Sequence, residues 1–174
     1  VEAPIVAFDR NLAPKIPIVS SDNFEGGKLA ARAMVKAGCQ RIVMITGYDN
    51  SDSPTGLRQL GFNYELDKEG IICPVPNDLS LMRRELEIKS IISRENPDGI
   101  FVSDDLTAIL VMKIARQLGL SIPDDLKIIG YDGTAFIRHF YPELATIQQP
   151  LDEIAKLCVE ILLKKIKGKT VNRD

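Results

Sequence analysis

Apolar residues recur along this chain in two patterns, as short continuous runs and as stripes at three- and four-residue spacing. The runs predict buried strands and the stripes predict helices. The predicted strands are 4–8, 16–19, 41–46, 71–75, 101–102 and 127–131, and the predicted helices are 24–37, 55–69, 79–95, 106–118 and 151–167. Strands that alternate with helices at this rhythm predict an α/β fold built on a doubly wound parallel sheet, as in a Rossmann-like lobe.

The segment 97–150 predicts a strand, a helix and a second strand, with acidic residues where each strand ends. Asp104 and Asp105 follow the first strand, and Asp132 follows the second. Either Asp104 or Asp105 can cap the helix, and Gly119 can end it. Since a helix crossover makes the two strands parallel, both acidic loops are expected at the carboxyl edge of the sheet, where ligands bind in such folds.

Composition and charge place the chain among ordinary globular proteins. It has 174 residues, of which 45% are hydrophobic and 26% charged, and its net charge is −2. Such a charge gives no long-range attraction to nucleic acid or to an anionic membrane. A basic cluster near the end is interpreted as a solvated helix face, and its members are Lys164, Lys165, Lys167, Lys169 and Arg173.

The three cysteines, Cys39, Cys73 and Cys158, are odd in number and lie in apolar surroundings. They are interpreted as reduced core thiols, which favours a cytoplasmic location. The sequence has neither a signal peptide nor an apolar run long enough to span a bilayer, so no membrane partner is expected.

The sequence offers no obvious catalytic or metal-binding group. The single histidine, His139, is predicted in a loop beside Phe140, where a structural or interface role is expected. No nucleophile elbow, phosphate-binding loop or cluster of metal ligands is visible in the sequence. We therefore expect no enzyme activity, no cofactor and no metal.

The predicted helix 106–118 is apolar nearly all round, with only four polar positions after its first residue: Thr107, Lys113, Arg116 and Gln117. A helix of this kind is covered on more than one face. The sheet is expected to cover one face, and a partner subunit is a candidate for another.

An ordered series of short motifs resembles the LacI/GalR family of bacterial transcriptional regulators over essentially the whole chain. The series comprises Phe8-Asp9-Arg10, Ser21-Asp22-Asn23 with Gly26-Gly27, Ala37-Gly38, Arg58-Gln59-Leu60-Gly61-Phe62, Pro97-Asp98-Gly99-Ile100-Phe101, Ser103-Asp104-Asp105, Ile122-Pro123-Asp124-Asp125, Gly130-Tyr131-Asp132 and Thr146-Ile147-Gln148-Gln149-Pro150. Within the family, residues 130–134 and 141–144 are most similar to regulators of sucrose utilisation.

The resemblance implies a two-lobed effector-binding domain of periplasmic-binding-protein type. Residues 1–22 would be a remnant of the first lobe with crossover strands, 23–145 the second lobe, and 146–174 a crossover strand and helix that return to the first lobe. It also implies a homodimer, a sugar or sugar-phosphate effector, and operator DNA bound through a helix-turn-helix that this chain lacks. Val1 stands in a strand-like run without an initiator Met, so an upstream segment is expected to have been removed.

The family binds its effector in the cleft between lobes, and the matching positions are Asp9, Arg58, Asp104 and Asp132. Carboxylates accept hydrogen bonds from sugar hydroxyls, and a guanidinium donates them in a planar fork. Each residue also has a structural alternative. Arg58 could be an exposed helix residue, Asp132 could form an Asx turn, Asp104 could be a helix N-cap, and Asp9 could pair with Arg10 or another neighbour.

Two features depart from the family pattern. The loop 73–79 lacks the aromatic residue that relatives often place against the ligand, and Asp104 stands where many relatives carry Asn. By the same resemblance, Ile109 and Phe140 would face the partner subunit.

Two other classes of function stay open at this point. A periplasmic sugar-binding protein of a transport system shares the fold, and the upstream sequence would distinguish it. An α/β enzyme would need a nucleophile or an acid-base pair that the sequence does not offer.

Overall fold

A computed structural model describes residues 3–47, 53–66 and 70–168. The strands are β1 (Ala7–Phe8), β2 (Ile18–Val19), β3 (Ile42–Thr46), β4 (Ile71–Pro74), β5 (Gly99–Val102), β6 (Lys127–Asp132) and β7 (Ala145–Gln148). The helices are α1 (Asn23–Lys36), α2 (Pro54–Glu65), α3 (Leu81–Glu95), α4 (Asp105–Gln117), α5 (Ala135–Phe140) and α6 (Leu151–Ile166). The predicted end of the second helix, at residues 67–69, lies outside the described residues.

The chain divides into two compact units. The larger unit is Asn23–Gln149, and the smaller unit combines Val1–Asp22 with Pro150–Asp174. β7, which the sequence analysis grouped with the returning crossover, lies in the sheet of the larger unit. The assignment of these segments to lobes of an effector domain stays a prediction.

The larger unit is built on a five-stranded sheet with the order β4-β3-β5-β6-β7. Every neighbouring pair is parallel, with Val43 opposite Ile100 and Ile100 opposite Ile128. The predicted doubly wound parallel sheet is therefore confirmed. Since all five strands run the same way, their carboxyl ends lie at one edge.

The two faces of this sheet carry separate cores because successive side chains of a strand point to opposite faces. Val43 and Ile45 of β3 belong to the core that α3 and α4 cover, while Met44 belongs to the core on the side of α1 and α2. β5 divides in the same way, with Val102 on the first face and Phe101 on the second. The sequence of such a strand is continuously apolar, as parallel strands buried on both faces require.

α4 packs on the sheet through fully buried residues such as Val111 and Ala115. Ile109 is half-buried and packs against the same core, whereas Leu106 at the first turn is 73% exposed. The sheet therefore covers one face of this apolar helix, as predicted, and Leu106 is its exposed large apolar residue. The partner subunit expected at another face, with Ile109 toward it, stays a prediction.

One element differs from the sequence prediction. Residues 135–140, which include His139 and Phe140, were expected to form a loop and instead form the short helix α5. Thr134 caps this helix by accepting a hydrogen bond from the N–H of Ile137, whose side chain is buried. A six-residue helix offers too few turns for its periodicity to be visible in the sequence.

α1 and α2 cross at glycines that allow their backbones to touch. A Cβ on Gly27 would collide with the carbonyl oxygen of Arg58, and a Cβ on Gly61 would collide with that of Phe24. Both obstacles are backbone atoms, which cannot move aside as a flexible side chain can. The Gly26-Gly27 pair of the sequence is therefore a packing requirement.

The smaller unit pairs β1 with β2 in parallel, and α6 packs on both strands. Lys165 Nζ donates to the carbonyl oxygen of Ile5 at 3.2 Å. No residue of α6 is fully buried, so its predicted apolar stripe is only partly covered. Lys169 and Arg173 of the predicted basic cluster lie outside the described residues.

All three thiols are free, but their environments differ. Cys39 and Cys73 are buried, and burial raises the pKa of both thiols. Cys158, on α6, is only half-buried. The prediction of core thiols therefore holds for two of the three.

Replacing Gly27 by Ala should destabilise the larger unit by about 3 kcal/mol or more, because the added methyl group must separate two helix backbones. Chemical denaturation followed by circular dichroism measures this change. Ala33→Ser, at an exposed position of the same helix, is the control and should change stability by less than about 0.5 kcal/mol. Equal stability of the Gly27→Ala protein and the wild type would contradict the packing.

Candidate functional site

The carboxyl edge of the larger sheet holds three of the four predicted ligand residues. Arg58 lies in the second turn of α2, Asp104 follows β5, and Asp132 ends β6. The fourth, Asp9, follows β1 in the smaller unit. The sequence prediction that two acidic loops meet the same sheet edge is thereby confirmed for Asp104 and Asp132.

Arg58 is only 5% exposed, so it is not the solvated helix residue of the alternative interpretation. Its Nε donates to Asn23 Oδ1 at 2.9 Å, and its Nη1 donates to the carbonyl oxygen of Ser103 at 2.7 Å. The guanidinium carbon lies 3.6 Å from the centroid of the Tyr131 ring. Two charge-assisted hydrogen bonds and a cation–π contact therefore fix the guanidinium in one orientation.

Asp132 is partly buried and sits at φ 124°, a backbone conformation that non-glycine residues rarely adopt. Its Oδ1 accepts a hydrogen bond from Gln149 Nε2 at 2.7 Å. Burial raises the pKa of Asp132 to about 6, although the bond from Gln149 and the charge of Arg58 act in the opposite direction. A strained residue with a perturbed carboxyl group is a common feature of binding sites.

Asp104 is the N-cap of α4, so the structural alternative for this residue is realised. Oδ1 accepts from the backbone N–H of Thr107 at 2.8 Å, and Oδ2 accepts from the Thr107 hydroxyl at 2.8 Å. Each carboxylate oxygen can accept a second hydrogen bond. The cap therefore leaves Asp104 able to contact a ligand.

Asp105 has a structural role that the sequence analysis did not assign. It is 2% exposed and accepts from the N–H of Gly133 at 2.8 Å and from the Thr146 hydroxyl at 2.6 Å. Burial raises the pKa of Asp105. A Cβ on Gly130 would collide with this carboxylate, so the glycine inside β6 was the signal that a side chain approaches there.

Asp9 adopts a left-handed conformation at φ 62°. Its Oδ1 is buried and has no hydrogen-bond partner among the described residues. A shallow concavity of the smaller unit is lined by Val6, Ala7, Phe8, Asp9, Arg10 and Leu12. A buried carboxylate oxygen without a partner is costly, which is consistent with a site that a ligand donor completes.

The polar residues that surround Arg58 were not predicted from the sequence. Asn23, Ser103 and Tyr131 all lie within the family motifs, but they are uncharged and their effect is to hold Arg58 in place. Thr46, at the end of β3, adds a buried hydroxyl that has no hydrogen-bond partner in the described part of the chain.

Within residues 3–47, 53–66 and 70–168, no three side chains of His, Cys, Asp or Glu come together in a way that could hold a metal ion. In the same residues, no helix has the length and apolar character needed to cross a bilayer.

Residues 31–174 match the family model of the periplasmic binding protein-like domain. The chain belongs to this family. The chain is 59% identical over 174 residues to the sucrose operon repressor of Streptococcus mutans. The match covers 100% of this chain and 54% of that protein. It is 45% identical to the sucrose operon repressor of Lactococcus lactis, over 99% of this chain and 54% of the relative. The chain thus spans about half the length of these relatives.

Among solved structures, the chain is similar to the periplasmic binding protein/LacI transcriptional regulator of Alkaliphilus metalliredigens in complex with D-xylulofuranose. The TM-score is 0.83 and the identity 34%, with 98% of this chain and 65% of that chain covered. The predicted resemblance to LacI/GalR regulators and the predicted fold are both confirmed by these relatives.

The contribution of Asp132 to stability should fall as the pH rises from about 4 through about 6, and Asp132→Asn should remove that contribution. Because burial raises the pKa of Asp132 from 3.8 to about 6, the folded state holds more protons than the unfolded state between these values. Asp105, whose pKa is also raised, contributes in the same direction. The free energy of unfolding of the wild type minus that of the variant should therefore decrease as the pH rises through about 6 and level off above that value. Urea denaturation between pH 4 and 7.5 measures this difference, and a constant difference would contradict the buried carboxylate.

Proposed function

We propose that the chain is the effector-binding domain of a sugar-responsive transcriptional repressor of the sucrose-operon type. The observation that carries the proposal is the buried, fixed guanidinium of Arg58 beside Asp132 at the carboxyl edge of the sheet. The sugar effector and the regulation of a sucrose operon are proposed because the two relatives are sucrose operon repressors. A repressor of this kind acts on operator DNA, so the protein would work in the bacterial cytoplasm.

The chemistry of the edge suits a polyol. Arg58 supplies a guanidinium, while Asp104 and Asp132 supply carboxylate oxygens that accept hydrogen bonds from hydroxyl groups. A buried polar group that loses its partner is costly, so the same residues would select against molecules that lack hydroxyls in matching positions. Asp9 is a further candidate in the smaller unit.

Neither rival class has comparable support. The relatives are transcriptional repressors rather than transport proteins or enzymes. We therefore retain the expectation that the protein has no catalytic activity of its own.

The test of this function is calorimetric titration of the complete protein with sucrose and with sucrose 6-phosphate, with ribose as the comparison sugar. Binding of either sucrose compound, together with a change in affinity for a DNA duplex carrying the operator of the sucrose genes, is the expected result. Absence of binding by both compounds would overturn the proposal.

Arg58→Lys should weaken binding of the sucrose compound by about 10-fold to 100-fold, which corresponds to one lost charge-assisted hydrogen bond of about 1.5–3 kcal/mol. Lysine keeps the positive charge but loses the planar fork and the stacking on Tyr131. The change is gentler than Arg58→Ala, which would leave a hole and unpaired groups around a residue that is 5% exposed. Arg138→Lys, on an exposed turn of α5, is the control, and equal affinities of the two variants would remove Arg58 from the site.

We propose further that the protein is a homodimer, with α4 and α5 of the larger unit at the interface. The support is a set of exposed apolar side chains on two helices that pack on the same core, and these are Leu106, Phe136 and Phe140, exposed by 73%, 59% and 61%. The rings of Phe136 and Phe140 lie 4.6 Å apart, centroid to centroid. The predicted interface residue Phe140 thus belongs to this surface. Ile109 would contribute only a small exposed area to the interface, because it packs against the core.

Leu106→Asp should shift the complete protein toward monomer in sedimentation velocity, because a buried unpaired charge opposes association. At 73% exposure in the single chain, the substitution should leave the fold intact. Leu29→Asp, at a 45% exposed leucine of α1, serves as the matched control. A Leu106→Asp protein that sediments with the wild type would exclude this face as the interface.

A further inference from the structure

Arg84, on α3, reaches across to the first turn of α4. Its Nη2 donates to Thr107 Oγ1 at 2.6 Å, while its Nε is buried and has no hydrogen-bond partner in the described part of the chain. Thr107 itself is 5% exposed. A buried guanidinium N–H without a partner is unfavourable, so Arg84 is held in this position at a cost in stability.

The direction of every hydrogen bond in this group is fixed by its chemistry. A guanidinium only donates and a carboxylate only accepts, so the single proton of the Thr107 hydroxyl must point to Asp104 Oδ2, 2.8 Å away. The Thr107 oxygen is then left to accept from Arg84. With the backbone N–H of Thr107 bound to Oδ1, both oxygens of Asp104 are held in one orientation.

We propose that Arg84 and Thr107 are positioning residues for Asp104, and that they set the direction in which its remaining lone pairs meet the effector. Arg84 does not contact the sugar; it acts through the Thr107 hydroxyl. The placement of α3 is in this way coupled to effector affinity. This inference rests on the proposed function, because it takes Asp104 as a contact of the bound sugar.

A neighbouring ion pair provides a matched control. Lys113 Nζ of α4 lies 2.7 Å from Glu85 Oε1 of α3, so this pair also joins the two helices. It has no hydrogen bond to Asp104 or Thr107. Breaking it tests the effect of loosening α3 from α4 without disturbing the orientation of Asp104.

The experiment titrates the complete protein with sucrose and with sucrose 6-phosphate, using Arg84→Met, Thr107→Val, Thr107→Ser, Glu85→Gln and the Arg84→Met/Thr107→Val double variant. Arg84→Met and Thr107→Val should each raise Kd by about 5-fold to 10-fold. The Kd of the double variant should be no higher than that of the single variant that binds less tightly, because the two residues act as one unit. Thr107→Ser keeps the hydroxyl and should bind as the wild type does. Glu85→Gln should change Kd by less than about 2-fold.

Asp104→Ala separates the possible failures. If it weakens binding while Arg84→Met and Thr107→Val bind as the wild type does, the positioning role is overturned and the proposed function stands. If Asp104→Ala and Arg58→Lys both leave Kd unchanged, the assignment of the site to this sheet edge fails and the positioning role fails with it. If the wild type binds neither sucrose compound, the proposed function itself fails. Should Thr107→Val not fold, Arg84→Lys against Arg84→Met decides, since the lysine ammonium can still donate to Thr107 and should recover part of the affinity.

Discussion

The buried guanidinium of Arg58 is the constraint on which this side of the larger unit depends. A charge removed from water must be compensated, and here Asn23, the carbonyl of Ser103 and the ring of Tyr131 do so. These partners belong to α1, β6 and the end of β5, so one side chain of α2 ties together three other segments. The glycines of α1 belong to the same arrangement, since Gly26 leaves room for the Tyr131 ring and Gly27 for the backbone of Arg58. The same residues therefore determine both the packing of the helices and the geometry of the candidate site.

The two consecutive aspartates at this edge, Asp104 and Asp105, have different environments. Asp105 is buried and bonded to Gly133 and Thr146, which fixes the loop after β6 against β7. Asp104 remains at the surface of the edge and caps α4. Because Asp105 holds the residues that follow Asp132, the strained backbone at φ 124° is stabilised from its carboxyl-terminal side. Asp105 therefore helps to place Asp132, the carboxylate that is proposed to bind the effector.

The hydrophobic pattern was sufficient to predict the sheet, because strands such as Ile42–Thr46 are buried on both faces. The helices that cover the sheet bury one stripe of apolar side chains each. It could not predict α5, whose single buried residue, Ile137, leaves no periodicity. For the site, strand ends could be predicted to converge, which placed Asp104 and Asp132 together. The burial of Arg58 could not be predicted, since it depends on Tyr131, 73 positions away along the chain. Residues whose proposed role is to orient another side chain leave a weaker signal in the sequence than residues at strand ends, and Arg84 and Thr107 are of that kind.

The charge balance at the edge also bears on which sugars it could accept. Arg58 uses two of its five N–H groups on Asn23 and Ser103, so fewer donors remain for a ligand. Asp104 and Asp132 place two carboxyl groups on the neighbouring strand ends, and their negative charge would repel a further anion. A neutral polyol meets these carboxylates as a donor of hydrogen bonds, whereas a phosphorylated sugar would have to keep its phosphate away from them. In the proposed site, the hydroxyl groups of the effector would therefore lie at Asp104 and Asp132, and any phosphate would lie away from these carboxylates.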